Sequence, residues 1–280
     1  MKKGLSVAKI QREPERHRRG RVDWRSQLLG QYVRFLKREK RIGEAVALLR
    51  REVEKGPPDS VSATRAANIL AFDFEKHVRI DDGVLWNWLG SRPKWEHSEE
   101  RLLWRMLENG KSDSLERYFL RAEELATGKD ASRSFALGWI MNRMGFPRRS
   151  ISLLKYAAGN AVETDLKDKA AFALLESYLD IGDWKRAEAI FPDAARRLTP
   201  NETPEWYARI AVATAKSGSK TDAMRIWARV VNISPWIPAY VEEMARAGLK
   251  DELQDFYREF QKKMPSSEIP GKMLTMLEQR

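Results

Sequence analysis

Apolar residues recur three and four positions apart along most of the chain from about Asp23 onward, whereas the period-two alternation typical of strands is hard to find. Short turns containing glycine or asparagine separate these stretches, for example Gly145-Phe146-Pro147 and Gly182-Asp183. Proline falls mostly where helices would begin or end, and there it fits without breaking a helix. The pattern therefore predicts an all-α chain of about fourteen or fifteen helices.

The turn glycines recur at a nearly constant spacing, which indicates an internal repeat. The glycines that serve as register marks are Gly110, Gly145, Gly182, Gly218 and Gly248. Their first three intervals are almost equal, and the last is somewhat shorter. Large side chains, nearly all apolar, lie at the eighth and fourth positions before each glycine and at the ninth after it, and a small residue follows at the fifth position in three units.

This register predicts a helical hairpin in each unit. The positions before the glycine share one face of a first helix, and the positions after it share one face of a second helix. The glycine ends the first helix in a left-handed conformation that other residues resist. Because one hairpin cannot bury its apolar face alone, neighbouring hairpins are expected to stack.

The unit around Gly182 resembles a tetratricopeptide repeat (TPR). The residues that carry the resemblance are Ala171-Phe172-Ala173-Leu174-Leu175-Glu176-Ser177-Tyr178, Gly182-Asp183-Trp184, Ala187, Phe191 and Ala194. The units around Gly145 and Gly218 are similar, and the resemblance covers about residues 96–265. It is weaker upstream, where Lys40 stands in the position of the glycine, and weakest over residues 61–95. It implies a right-handed α-solenoid of about seven antiparallel helical hairpins.

The domain organisation that we predict has four parts. They are a basic arm at 1–22, divergent helical repeats at 23–95, TPR-like repeats at 96–265 and a capping helix at 266–280. The closing helix is expected near Ile269–Leu277, where it either caps the array or docks on a neighbouring molecule.

Composition narrows the class of protein. The chain contains no cysteine, which excludes disulfides, thiol nucleophiles and cysteine-ligated metals. No apolar run approaches the roughly 18–20 residues that span a bilayer, and the first residues lack the apolar stretch of a signal peptide. We therefore expect a cytoplasmic protein without membrane insertion.

Residues for catalysis or cofactor binding are not evident. Asn109-Gly110-Lys111-Ser112 resembles the end of a phosphate-binding loop, but Arg105 occupies the position where that loop needs a further glycine. The histidines His17, His77 and His97 lie far apart, with no carboxylates at metal-ligand spacing. We therefore predict a protein that is not an enzyme and that uses neither metal nor cofactor.

The first helices of TPR proteins line an inner, concave surface, and the resemblance implies that surface here. It comprises Arg34, Lys37, Arg38, Phe135, Trp139, Asn142, Arg143, Phe172 and Glu176. Exposed aromatic rings beside arginine suit a peptide ligand, and the cations favour an acidic partner segment. An equally weighted alternative is that Phe135 and Trp139 are buried against the next repeat. The first hypothesis is therefore a protein-binding scaffold.

The N-terminal arm supports a second hypothesis. Of the net charge of +11, more than half comes from positions 1–25, and the candidate phosphate-binding residues are Arg12, Arg16, Arg18, Arg19 and Arg21. In this alternative the chain is a subunit of a ribonucleoprotein or DNA-bound complex. Membership of a larger complex, or homo-oligomerisation through the terminal repeats, is compatible with both hypotheses.

Overall fold

The predicted all-α class is confirmed in the part of the chain that the structure describes. This computed structural model describes residues 24–57, 60–74, 83–92, 94–95, 97–108, 112–128, 130–234 and 237–279, with only the backbone at 112–114. These residues form helices and turns and contain no β-strand. Neighbouring helices pack against one another in chain order, as in a helical solenoid.

The chain divides into two compact units, Met1–Arg92 and Pro93–Arg280. The described helices of the first unit are α1 (Trp24–Arg38), α2 (Ile42–Lys55), α3 (Val61–Asp73) and α4 (Gly83–Ser91). Helix α2 packs against α1, α3 and α4. Alanine predominates on the buried side of α3, at Ala63, Ala66, Ala67 and Ala71, and these small side chains allow α2 and α3 to pack closely.

The second unit is a succession of helical hairpins. Its helices are α5 (His97–Glu108), α6 (Ser112–Ala126), α7 (Ala131–Arg143), α8 (Pro147–Asn160), α9 (Thr164–Asp180), α10 (Trp184–Ala194), α11 (Thr203–Lys216), α12 (Lys220–Ile233), α13 (Pro238–Met244), α14 (Lys250–Lys263) and α15 (Ile269–Glu278). A 3₁₀ turn at Ala195–Arg197 extends α10, and Ala245–Leu249 joins α13 to α14 across a kink at Gly248.

The glycine turns have the predicted left-handed conformation. The φ angles are 86° at Gly145, 74° at Gly182, 87° at Gly218 and 89° at Gly248. The turns at Gly145, Gly182 and Gly218 share one hydrogen-bond pattern. The glycine N–H donates to the carbonyl of the residue three positions before it, and the N–H of the next residue donates to the carbonyl five positions before that residue. These bonds satisfy the last carbonyls of the first helix. Gly110 lies outside the described residues.

Lys40 adopts the same conformation as the glycines whose position it takes. Its φ is 58°, its N–H donates to the Lys37 carbonyl, and the Arg41 N–H donates to the Leu36 carbonyl. The turn between α1 and α2 is therefore built like the glycine turns, although a side chain is present.

The positions predicted to lie between helices are buried with few exceptions. At the ninth position after the described turn glycines stand Leu154, Phe191, Trp227 and Tyr257, and each is at most 2% exposed. The small residues at the fifth position after the glycine are also buried, and the Oγ atoms of Ser150 and Ser177 lie 2.9 Å apart between α8 and α9. Both Trp184 and Trp227 belong to the core.

Three residues on the helix faces that the register predicts to be buried are more exposed than the others: Tyr32 and Tyr240, eight positions before the turn residue, and Phe260, twelve positions after it. Tyr32 is 49% exposed, because the buried side of α1 is formed by Leu29, Val33 and Leu36. Tyr240 and Phe260 are half-buried. Tyr240 lies in the first turn of the short helix α13.

The first helices of the hairpins also contact one another. Helix α7 contacts α5 and α9, and α11 contacts α9 and α13. The second helices pack on the other side, where α8 lies against both α7 and α9. Side chains on the solvent-facing side of the first helices can therefore form one continuous surface across several hairpins.

Candidate partner-binding surface

The residues that we predicted for the inner surface lie in both compact units. Arg34, Lys37 and Arg38 are exposed on α1 in the first unit. In the second unit, α7 carries Phe135, Trp139, Asn142 and Arg143, and α9 carries Phe172 and Glu176. The residues of α7 and α9 come together, and the surface that they begin continues onto α11 and α13.

Local sequence features set the position of α7. Asp130 caps its first turn, because one carboxylate oxygen accepts hydrogen bonds from the backbone N–H groups of Ser132 and Arg133. Gly138 allows α8 to approach closely, since a Cβ atom there would lie 2.8 Å from Cγ of Leu154. The helix is therefore held between α5, α6, α8 and α9, and its remaining side faces outward.

Aromatic rings lie along the solvent-facing side of the first helices. The Trp139 ring lies 5.9 Å from that of Trp104 on α5, and the rings of Phe172 and Trp206 meet edge to face at 4.8 Å. Tyr240 follows on α13. These rings are partly buried, so each presents only part of its surface to solvent.

Charged groups lie between the rings. The Arg143 guanidinium lies 5.9 Å from the Trp139 ring centre and 3.6 Å from a Glu176 carboxylate oxygen. The Arg209 guanidinium lies 4.1 Å from the Trp206 ring centre. Within the described part of the chain, Arg143 thus has a carboxylate partner, while Arg209 forms no ion pair.

Burial and hydrogen bonding shift the pKa of two groups on this side. Burial raises the pKa of Glu176, and the positive charges of Arg143 and Arg209 oppose that shift. Burial and the hydrogen bond to Glu205 raise the pKa of Tyr240 to about 12. The phenol is therefore protonated at neutral pH and donates to the Glu205 carboxylate, 3.0 Å away.

A groove lies between α9, α11 and α13. Its volume is about 690 Å³, and its lining includes Arg209, Lys216, Tyr240 and Glu243. The Lys216 ammonium pairs with the Glu243 carboxylate at 3.2 Å, whereas the Arg209 side chain is exposed. We call this the α11 groove. The α7–α13 face consists of this groove and Phe135, Trp139, Arg143, Phe172, Glu176 and Trp206.

Several of the predicted residues are less accessible than the predicted cations, which are exposed. Asn142 is only 8% exposed, and its Oδ1 is buried without a hydrogen-bond partner within the described residues. Trp139 and Phe135 are partly exposed, which suits a ligand-binding surface. They also pack against the core, which agrees with the alternative that they are buried.

Other residues of the α7–α13 face were not identified from the sequence. The repeat register contains a signal for Lys216, which stands two positions before Gly218 as Arg143 stands two positions before Gly145. Trp206 and Arg209 occupy positions that differ from those of the aromatic and arginine residues of α7. No register argument assigns them to this surface.

Other candidate chemistry is limited to what the described residues show. Among these residues, no three His, Asp or Glu side chains form a group that could hold a metal ion. No helix found there has both the length and the apolar character needed to cross a membrane. The arm residues Arg12, Arg16, Arg18, Arg19 and Arg21, together with Lys111 and the histidines His17 and His77, lie outside the described residues.

Comparison with known proteins gives no relative from which a function could be transferred. No family model matches the chain, and no curated protein or solved structure matches it.

Proposed function

We propose that this chain is a non-catalytic scaffold of the TPR type, which binds a segment of a partner protein along the α7–α13 face. The observation that carries the proposal is the row of partly exposed rings on consecutive first helices, which leads into the α11 groove. Aromatic and arginine side chains contribute most of the binding energy in many protein interfaces.

The charges of the α7–α13 face favour a partner with an acidic group. Arg143 and Lys216 already have carboxylate neighbours in Glu176 and Glu243. The exposed Arg209, stacked on Trp206, remains available for a charge-assisted hydrogen bond. We therefore expect a carboxylate of the partner segment at Arg209, with apolar side chains of the segment on the neighbouring rings.

The test is an affinity purification from the native host, with half of each sample treated with nuclease before washing. Wild-type protein is compared with Trp206→Ala/Arg209→Ala and with Trp139→Ala/Arg143→Ala. The matched control, Phe146→Ala/Arg258→Ala, also removes one partly exposed ring and one exposed arginine, but from outside the α7–α13 face. Far-UV circular dichroism verifies that each variant is folded.

We expect one partner to be retained by wild-type and control protein with or without nuclease, and to be lost from both face variants. Unchanged retention by the face variants would refute the proposal. Loss of all retained material after nuclease treatment would instead favour the alternative hypothesis of a nucleic-acid-associated subunit, whose signature is steep salt dependence and loss of binding on deletion of residues 1–22.

A further inference from the structure

Helix α1 exposes a stripe of large apolar side chains that the proposed function does not use. Its members are Trp24, Leu28, Tyr32 and Phe35, which are 69%, 54%, 49% and 48% exposed. We call these four residues the α1 stripe. The rings of Tyr32 and Phe35 stack with their centres 6.1 Å apart.

The stripe lies on a different side of α1 from the residues that face the core. At about 100° per residue, its members fall within one sector, while Leu29, Val33 and Leu36 form the buried side. An aromatic side chain has about 150–250 Å² of surface, so exposure of between 48% and 69% leaves a patch on the order of 400 Å². Apolar patches of this size on soluble proteins commonly bind another molecule.

The two edges of the stripe differ in charge. Arg34 and Arg38 flank it there and, within the described chain, form no ion pair. On the other edge Arg25 is tied to Glu52, with its Nη2 atom 3.0 Å from the carboxylate. Lys37 points elsewhere, with its ammonium 5.4 Å from the Phe74 ring centre.

We propose that the α1 stripe binds an amphipathic helix of a partner protein whose apolar face has acidic residues along one edge. The apolar side chains of that helix would cover the stripe, and its carboxylates would pair with Arg34 and Arg38. This site belongs to the first unit, whereas the α7–α13 face belongs to the second.

Electrostatics disfavours two occupants that belong to this protein. Helix α1 contains no acidic residue, so packing of two copies through their stripes would bring like charges together. The segment 1–23, which precedes α1, has many more basic than acidic side chains and would be repelled in the same way.

A membrane surface fits less well than a helix. An anionic bilayer is a plane and favours cations on both sides of an apolar stripe. Here the second edge carries Arg25 with its carboxylate partner Glu52, and Glu39 follows the end of α1. Cations on one edge match a ligand with acids on one edge.

The test uses the full chain and two labelled peptides of about 18 residues, each an amphipathic helix with leucine on one face. One peptide carries glutamate along one edge of that face, and the other carries lysine at the same positions. Fluorescence anisotropy measures binding to the wild type, to Arg34→Glu/Arg38→Glu and to Leu28→Gln/Phe35→Gln. The matched control is Arg51→Glu/Lys55→Glu, which makes the same charge change at exposed positions on α2.

We expect wild-type and control protein to bind the glutamate peptide at least tenfold more tightly than the lysine peptide. The Arg34→Glu/Arg38→Glu variant should reverse that preference, and Leu28→Gln/Phe35→Gln should bind neither peptide. Since the substituted side chains are exposed, we expect all variants to fold.

Several results would overturn the proposal. They are absence of peptide binding, equal binding of the two peptides, or a preference that Arg34→Glu/Arg38→Glu leaves unchanged. Sedimentation showing a dimer that Leu28→Gln/Phe35→Gln dissociates would identify a second copy as the occupant. Co-sedimentation with phosphatidylserine-containing vesicles that the same variant abolishes would identify a membrane.

Discussion

The turn between α7 and α8 depends on Gly145, whose φ of 86° lies in the left-handed region. An alanine Cβ at this position would meet no atom within 4 Å, so Gly145→Ala changes the backbone energy without changing the packing. A left-handed conformation costs a non-glycine residue about 1–2 kcal/mol. Loss of the flexibility of glycine from the unfolded chain offsets about 0.4–1 kcal/mol of this cost. We therefore expect Gly145→Ala to lower the free energy of unfolding by about 1 kcal/mol.

Two other glycines of the same hairpin provide controls. Gly159 lies within α8, and a Cβ there would also meet nothing within 4 Å, so Gly159→Ala should stabilise the protein by about 0.5 kcal/mol. Gly138 lies within α7 against Leu154. Alanine there gains about 1 kcal/mol in helix propensity but crowds the core at a cost of about 1–3 kcal/mol. The net effect of Gly138→Ala should be destabilising.

The assay is equilibrium unfolding in urea, followed by far-UV circular dichroism, with the dependence of the free energy on urea compared among the variants. The same chemical change should thus destabilise the protein at Gly145 and stabilise it at Gly159. Equal stabilisation by both substitutions would refute the left-handed turn, and with it the repeat register that we derived from the glycines.

Three further predictions concern local features of the two units. Lys40→Gly should raise the free energy of unfolding of the first unit by about 0.5–1 kcal/mol, because glycine removes the cost of φ = 58°; hydrogen exchange of α1 and α2 measures this change. Asp130→Ala should cost about 1 kcal/mol in urea unfolding through loss of the α7 cap, and Asp130→Asn should retain most of that energy. Hydrogen bonds from Arg225 lower the pKa of Glu188, so its stabilising contribution is full above the ordinary value of 4.5 and is lost as the pH falls through the lowered folded-state pKa. Urea titrations should therefore show Glu188→Gln less stable than wild type near pH 7, with a difference that becomes smaller as the pH falls below 4.5; a difference that stays the same over this range would contradict the prediction.

The sequence predicted the helical hairpins well because the repeat positions determine both the local turns and the packing of the helices. A glycine with positive φ follows α7, α9, α11 and α13, and apolar residues at fixed distances from these glycines meet in the core. Lys40 follows the same register without glycine, so the backbone conformation is determined by the repeat as well as by the residue.

The register is less informative where a unit departs from the others. Adjacent apolar residues of α1, such as Tyr32 and Val33, are both compatible with a helical pattern, and packing decides which is buried. The interval from Gly218 to Gly248 is shorter than the intervals before it, which leaves α13 short and places Tyr240 near its beginning.

The candidate surface was predicted only in part, for a related reason. Side chains that face away from the core are not constrained by the hydrophobic pattern, so Trp206 and Arg209 need not repeat the positions of Trp139 and Arg143. The α11 groove arises from the packing of three helices and has no sequence motif of its own. Charge pairing across hairpins, such as Arg143 with Glu176, likewise appears only in three dimensions.

The most direct test of the central claim is hydroxyl-radical footprinting of the chain, alone and with the partner retained after nuclease treatment. The account predicts that Trp206 and Tyr240 become protected on binding, while Phe146, which is 38% exposed and lies outside the α7–α13 face, reacts as before. Protection of Phe146 without any change at Trp206 and Tyr240 would place the partner elsewhere and contradict the account.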